Sequence, residues 1–349
     1  MEAKRLVHIE LSQRTMRRLH NFRSNRRAYI SLYVFLCIFI ISLFAEIVAN
    51  DKPLLVRFQE RFYFPVFKTY YETDFGGEFE FEVAYHDPYM LELIESEGWV
   101  LWPIIPFKYD TIDYYIDAPA PSPPSARHWL GTDDQGHDVL AVALYGFRIS
   151  VIFGIVLTVI SSIVGVSAGA VQGYFGGLVD IVFQRFIEMW ASIPTLYLII
   201  ILTSVLSPTF GLLLVILLLF NWLSLVGVVR AEFLRVRNFE FVKAARALGV
   251  RNVTIIYRHI LPNAMVATFT FLPFILNGSI VALTSLDFLG LGLPPGSPSL
   301  GRLLAQGKAN LQAPWLGITS FAILSIMLSL LIFIGEGFRD AFDPKKEFA

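Results

Sequence analysis

The chain lacks cysteine pairs and has few charged residues for its length. Cys37 is the only cysteine among 349 residues, which excludes an internal disulfide, and its place in an apolar run predicts a buried packing role. Charged residues make up 16% of the chain, well below the usual quarter of a soluble domain. The net charge of −1 says nothing about partners, and no nucleic-acid partner is predicted.

The sequence also lacks the motifs of an ATP-hydrolysing or hydrolytic enzyme. The closest match to a phosphate-binding loop is Gly301–Ala309, but its glycines are six apart instead of five and alanine replaces the magnesium-binding hydroxyl. No Gly-x-Ser-x-Gly or His-Glu-x-x-His occurs. We therefore predict no catalytic residues, and if the protein uses ATP, another chain must hydrolyse it.

Long apolar runs dominate what is present. The chain is 55% hydrophobic with a mean hydropathy of +0.59, and about 20 apolar residues suffice to cross a bilayer as a helix. The predicted fold class is an all-α polytopic membrane protein with six transmembrane helices. The six windows are 28–49, 149–172, 186–206, 212–229, 264–286 and 315–335.

The basic residues predict the orientation. Eight of the 28 lie in the first 27 residues and seven more in the 230–262 loop, and such enrichment marks the cytoplasmic side. Both termini are therefore predicted to be cytoplasmic, with the lipid bilayer around the six spans. The cytoplasmic segments are the basic N-terminus 1–27, the loop 230–262 and the C-terminus 336–349.

An extracytoplasmic insertion, 50–127, separates the first two spans. Its part 50–117 is acidic and aromatic, and we expect a small folded unit with some strand. The alternation over Glu78–Val83 predicts a strand, and Glu92–Val100 a short helix. A proline-rich connector follows, then a polar motif at 128–148, and a core at 149–344 that holds the remaining spans.

The polar motif poses the question of a metal site. His128, Asp133, Asp134, His137 and Asp138 lie within eleven residues, and imidazole with carboxylate suits several divalent ions. No pair has the His-x-x-x-His spacing, however, and the glycines and acidic residues are typical of turns that bond their own backbone. The prediction is turns and no metal.

Polar residues inside the predicted spans are sparse. Asp180, Arg185 and Glu188 cluster at the entrance to the third span, where a solvated ion-pair network is expected. Asn221 and Asn277 either face a pore or form hydrogen bonds between helices, and the sequence leaves both alternatives open. Because no carboxylate lies at mid-membrane, an ion-coupled pump is not favoured.

The segment 239–249 predicts an exposed helix built to dock. Its alanines favour a helix and Gly249 is the expected stop. A helix lying on the lipid surface is one interpretation. Since its apolar face is mostly alanine and valine, a weak membrane anchor, a groove in a protein partner is favoured. Phe241, Ala245 and Leu248 share one face at helical spacing.

These residues resemble a family. Ala244-Ala245, Gly249 and Leu261-Pro262 are similar to the "EAA" loop of bacterial ABC-importer permeases, and five separated motifs resemble specifically the C-type permease subunits of peptide and nickel importers. The motifs are Leu130–Leu140, Gly173–Gly177, Phe241–Asn263, Ser285–Gly292 and Gly335–Pro344.

The resemblance implies a role for each end of the protein. The 239–249 helix would be the coupling helix seated in an ABC ATPase, and the polar motif would contact a periplasmic peptide-binding protein. A B-type permease would complete a heterodimer in the bacterial inner membrane, and ATP and Mg would bind to the partner ATPase, with no cofactor on this chain. The implied coupling residues are Glu240, Phe241, Lys243, Ala244, Ala245, Arg246, Leu248 and Gly249, and the implied binding-protein contacts are Gly131, Thr132, Asp133, Asp134, His137 and Asp138.

Three departures qualify the resemblance. Lys243 stands where the motif usually has glutamate, and His137 where arginine is common. The 50–117 insertion is longer than in typical peptide permeases and looks like the YejE-type subgroup, implicated in uptake of peptides and the antibiotic microcin C. Oligopeptide import is therefore the expected function, with nickel or another metal as the alternative cargo.

Overall fold

The computed structural model describes residues 13–116 and 118–342, with side chains from residue 16 onward, and this part of the chain is mostly helical. The lysines at positions 4, 345 and 346 lie outside it. The helices are α1 (Gln13–Ser24), α2 (Arg26–Leu43), α3 (Ala45–Val48), α4 (Pro88–Glu97), α5 (Val139–Phe175), α6 (Gly177–Ala191), α7 (Thr195–Val205), α8 (Phe210–Asn221), α9 (Leu223–Val236), α10 (Glu240–Ala247), α11 (Asn252–Thr254), α12 (Leu261–Phe288), α13 (Leu300–Ala309) and α14 (Pro314–Phe342).

The described residues contain five helical runs long and apolar enough to cross a membrane. The pair α6 and α7 is a sixth if counted as one span, although the two helices meet at 63°. The predicted span 186–206 corresponds to this bent pair, and its helix is interrupted between Ala191 and Thr195. Pro194 precedes α7, and because a proline disfavours helical geometry in the residue before it, the helix breaks there.

The second, fourth, fifth and sixth spans extend beyond their apolar windows, whereas the first helix ends at Leu43, six residues before the end of its window. The second begins at Val139, ten residues before its predicted start, because the Asp138 side chain accepts a hydrogen bond from the Ala141 amide and caps the helix there. Its 37 residues reach about 55 Å, well beyond a bilayer core of about 30 Å. Hydropathy locates membrane-spanning segments, but helix ends are set by caps.

The predicted loop 230–262 is almost entirely helical. It comprises the end of α9, then α10, α11 and a π-helical turn at Ile255–Ile260 that leads directly into α12. Pro262 lies in the first turn of α12 and does not end the helix. Pro262 has no amide hydrogen to donate, and the wider π turn just before it accommodates the proline ring, so the helix continues past Pro262 without a break.

The insertion folds as a small unit with its own core, but its strands lie elsewhere than predicted. A three-stranded antiparallel sheet has the order β2-β1-β3, formed by β1 (Leu55–Phe58), β2 (Arg61–Tyr63) and β3 (Gly98–Leu101). The stretch Glu78–Val83 is not a strand and pairs only at Glu82. Phe79 and Phe81 are 58% and 68% exposed and stack on each other, and of this alternating face only Val83, which is 5% exposed, joins the core of the insertion.

The predicted insertion helix and the cysteine also need correction. The helix runs over Pro88–Glu97, four residues earlier than expected, because Asp87 caps it and Pro88 occupies its first turn. Cys37 is exposed on the outer surface of α2. A membrane span can present apolar side chains outward, so an apolar run does not imply burial inside the protein.

The two ends of the described chain meet. Phe22 of α1 packs on Phe338 of α14, with ring centroids 5.3 Å apart, and the Asn25 amide donates to Asp340 at 3.2 Å. Close to this end, Phe342 of α14 packs on Phe269 of α12. We call this the α10 end of the bundle, because α12 begins there, shortly after α10 and α11. The polar motif lies at the opposite end.

Candidate partner-binding sites at the two ends of the bundle

α10 is anchored to the core by one face. Val242 is fully buried and Ala245 is 7% exposed, and both pack into a cluster with α9, the π turn and the end of α5. Ala245 was expected to share a docking face with Phe241 and Leu248. Its side chain instead contacts the protein's own helices, because α10 lies flat against them.

The opposite face of α10 is open. Phe241 is 43% and Leu248 is 83% exposed, and Ala244 and Arg246 are also exposed. An exposed Lys243 lies 2.9 Å from Glu240 one turn earlier, a pair that contributes well under about 1 kcal/mol in water. Apolar side chains displayed on a rigid, anchored helix are typical of a protein-binding surface.

Gly249 ends α10 in the way that its sequence predicts. It has φ +74, its amide donates to the Arg246 carbonyl, and the Val250 amide donates to the Ala245 carbonyl at 3.1 Å. This pair of bonds is the Schellman arrangement, which satisfies the last carbonyls of a helix and favours glycine at the left-handed position.

Contacts that the sequence did not predict attach α10 to α5. The Arg246 guanidinium lies 4.7 Å from the centroid of the Tyr174 ring, and the Tyr174 hydroxyl donates to Asn252 at 2.7 Å. Arg237 donates to the Gly173 and Tyr174 carbonyls at the end of α5. The Gly173–Gly177 motif marked this region, but its contact with α10 depends on residues more than 60 positions away.

Asp180, at the entrance to the third span, pairs with a residue outside the expected ion-pair cluster. Asp180 makes a two-pronged ion pair with Arg230 of α9, at 2.6 and 2.7 Å. Among the described residues, the ion pair of Arg185 is with Glu188 on its own helix. Since α6 buries none of its side chains against the described chain, the Asp180–Arg230 pair is a main attachment of this helix.

The amides in the spans mostly link helices. Asn221 donates to the hydroxyls of Ser161 and Ser279, at 3.3 and 3.1 Å, which ties α8 to α5 and α12. The side-chain oxygen of Asn277 is buried without a partner among the described residues. For Asn221, the helix-linking interpretation is therefore the one that the contacts favour.

At the opposite end, most of the polar motif is internal. Gly131, Thr132, Asp133 and Asp138 are buried, Asp134 is exposed and His137 is partly exposed. The four buried residues are turned into the protein, and among the six predicted contacts only Asp134 and His137 present side-chain surface to a partner. The polar groups of the buried residues are used to close the turn, as when the Asp133 carboxylate accepts the amides of Gln135 and His137 at 2.9 Å.

Asp133 and His137 form a local pair supported from α13. The His137 ring lies 3.1 Å from Asp133, and Gln306 donates to Asp133 and Asp134 at 3.2 and 2.6 Å. The hydrogen bond to Asp133 raises the pKa of His137 although burial opposes it. Burial would raise the pKa of Asp133, but the bonds from His137 lower it; burial and the charge of Asp133 raise the pKa of Asp134.

The motif does not assemble into a metal centre. Within 13–116 and 118–342, no group of three or more His, Cys, Asp or Glu side chains is placed to hold a metal ion. His128 has a carboxylate at each ring nitrogen, Asp138 at 2.8 Å and Asp113 at 3.0 Å, so neither nitrogen is available to an ion.

Helical runs long enough to cross a membrane, together with an anchored helix that has an exposed apolar face, are typical of membrane permease subunits. Residues 161–348 match the family described as binding-protein-dependent transport system inner membrane component, and the chain belongs to this family. It is thus a transport subunit of the ABC permease type, and the resemblance seen in the sequence is confirmed.

Three relatives align with this chain over most of their own length. The inner membrane ABC transporter permease protein YejE of Escherichia coli strain K12 is 61% identical over 96% of this chain and 98% of its own. The peptidoglycan transport system permease protein YejE of Agrobacterium fabrum is 54% identical over 97% and 94%. The oligopeptide transport system permease protein OppC of Mycobacterium bovis is 36% identical over 73% and 87%.

Proposed function

We propose that this chain is the permease subunit of an ATP-binding-cassette importer that moves oligopeptides across the bacterial inner membrane. It would form a heterodimer with a B-type permease and work with an ABC ATPase and a periplasmic peptide-binding protein. The observation that carries the proposal is α10, whose inner face is anchored by Val242 while Phe241 and Leu248 remain exposed.

In this proposal α10 is the coupling helix. ATP and Mg bind to the partner ATPase, and this chain binds no cofactor. Leu248 and Phe241 enter the ATPase surface, while the buried Val242 and Ala245 make α10 move with the core. Arg246, stacked on Tyr174, passes that movement to the end of α5. The ATPase stroke would then tilt the membrane helices and alternate the access of the peptide path.

The proposed orientation places both termini and α10 in the cytoplasm, as the Lys and Arg distribution indicates. The insertion and the polar motif would then face the periplasm and the binding protein. Of the motif residues, Asp134 is the best-exposed candidate for that contact, with His137 partly accessible beside it.

Two exposed leucines at opposite ends of the bundle offer a matched test of α10. Leu248 is 83% exposed on α10 and Leu311 is 81% exposed near the end of α13. We expect Leu248→Asp to reduce co-purification of the ATPase at least tenfold, because a buried carboxylate without a partner disfavours the interface. Leu311→Asp should retain the ATPase as the unsubstituted chain does. Equal retention in both variants would disprove the coupling role.

Peptidoglycan fragments are a second candidate cargo, because a relative with 54% identity is named for peptidoglycan transport. An uptake competition distinguishes the two cargoes. Uptake of a labelled tripeptide by cells that carry the whole importer should be competed by unlabelled oligopeptides if these are the cargo. Competition by peptidoglycan-derived peptides alone would favour cell-wall fragments. Two of the three relatives described above are named for peptidoglycan or oligopeptide transport, none of the three is named for nickel, and the nickel alternative therefore has no support from them.

A further inference from the structure

The segments that flank the insertion attach it to the first turns of α5, through α3 and its cap Ala49 on one side and through His128 on the other. At the first end, the Tyr145 hydroxyl donates to the Ala49 carbonyl at 2.9 Å, and Arg148 donates to both carboxylate oxygens of Glu46 at 2.8 and 2.9 Å. Around these bonds, Phe107 packs in an apolar cluster with α3 and α5. The insertion is therefore held to a membrane helix and is not a freely hanging domain.

At the second end, His128 joins the insertion to α5. Its side chain is 2% exposed, with Nδ1 2.8 Å from Asp138 at the cap of α5 and Nε2 3.0 Å from Asp113 in the insertion. A carboxylate can only accept, so both ring nitrogens must carry a proton to satisfy both contacts. The geometry therefore specifies a charged imidazolium between two buried carboxylates.

The charges around His128 balance within this small cluster. Arg127 adds a second ion pair to Asp113 at 2.8 Å, and the other oxygen of Asp138 accepts the Ala141 amide. The Phe107 ring lies against the imidazole, 4.4 Å between centroids. Because the cluster is buried, each charge pair is screened less than it would be at the surface.

We propose that His128 is a positioning residue whose ion pairs lock the insertion to α5, so that both move as one body during transport. This inference rests on the proposed importer function. α5 reaches from the lock to Tyr174, which contacts Arg246 of α10. A displacement of the insertion by a docked binding protein would then reach the ATPase end through one continuous helix.

The lock should depend on pH. Burial lowers the pKa of His128, but hydrogen bonds to Asp138 and Asp113 outweigh it and raise the pKa overall. The groups that face the imidazole are Asp138 from α5 and Asp113 from the insertion, with Arg127 behind Asp113. A raised pKa in the folded state means that the lock is fully formed below about pH 6.5 and is lost as pH rises through the folded value.

Hydrogen exchange on the purified full-length chain tests the lock without any partner. After correction for the intrinsic pH dependence, we expect amides of 107–116 and 139–145 to exchange together about tenfold faster at pH 9 than at pH 6. His128→Gln should exchange fast at both pH values, and the control His259→Gln, in the π turn at the α10 end of the bundle, should keep the unsubstituted profile in these segments. Unchanged exchange at pH 9 and in His128→Gln would overturn the lock, whether or not the chain binds an ATPase.

The transport role needs the assembled importer. With the binding protein and a tripeptide, we expect His128→Gln to lower the ratio of stimulated to basal ATP hydrolysis about fivefold. An unchanged ratio in a variant whose exchange shows a loosened lock would overturn the role in transport while leaving the importer function intact. Failure of any ATPase to co-purify with the unsubstituted chain would instead count against the importer proposal.

Discussion

At Gly249 a single backbone angle decides how α10 ends. The residue has φ +74, and a Cβ built there would meet no atom within 4 Å. Any effect of a side chain at this position therefore comes from backbone strain and not from a clash. The exposed Leu248 precedes it directly, so the strain would act on the part of α10 that is proposed to contact the ATPase.

We predict that Gly249→Ala loosens the last turn of α10. A side chain in the left-handed region costs about 1 kcal/mol, which corresponds to roughly fivefold faster amide exchange over residues 245–250. Gly278→Ala is the matched control, since Gly278 also has open space around its Cα but lies inside α12 without a positive φ. Equal exchange in both variants would contradict the assignment of the strain to φ.

The buried or exposed state of single residues was the least predictable property. Ala245 and Leu248 lie three positions apart on a short helix, yet one is 7% and the other 83% exposed. Cys37 shows the opposite error from Ala245, since it was expected to be buried and is exposed. Residue type gives a preference for burial, whereas the neighbouring helices determine the outcome.

Among the elements, α5 and α9 pack closely together through a row of glycines. Gly165, Gly169 and Gly173 recur every fourth residue and face the backbone of α9, and a Cβ on Gly169 would lie 2.8 Å from the Val226 carbonyl oxygen. Small residues at this spacing let helices in membranes approach closely. The spacing is readable in the sequence as Gly-x-x-x-Gly, although it does not reveal which helix is the partner.

We predict that Gly169→Val separates α5 from α9 and destabilises the protein by about 2 kcal/mol or more, because overpacking against backbone cannot be relieved by a rotamer change. Thermal unfolding in detergent should show a lower midpoint than that of the unsubstituted chain. Gly227→Val is the control on the partner helix, where a Cβ meets no atom within 4 Å. An equal loss in both variants would indicate a general effect of valine in these helices.

For the whole molecule, the proposed function depends on the membrane orientation, that is, on which end of the bundle faces the cytoplasm. The protein has one cysteine, so Cys37→Ser yields a cysteine-free background. In that background Leu248→Cys and Leu311→Cys place thiols at the two ends of the bundle, each on a side chain more than 80% exposed.

We predict that a membrane-impermeant maleimide added to intact spheroplasts labels Leu311→Cys and not Leu248→Cys. Inside-out vesicles should give the reverse pattern, because the basic residues place α10 on the cytoplasmic side. Labelling of Leu248→Cys from the periplasmic side would invert the proposed topology and exclude α10 as an ATPase contact.

Four features were predictable from the sequence alone: the class of the protein, the membrane helices, the presence of α10, and the end of α10 at Gly249. These follow from hydropathy, helix propensity and a local backbone requirement, which act within one segment. Three features became visible in the folded protein: Ala245 faces inward, Asp180 pairs with Arg230, and His128 joins the insertion to α5. Each of these depends on residues brought together from distant segments, and contact between distant segments is set by how the helices pack.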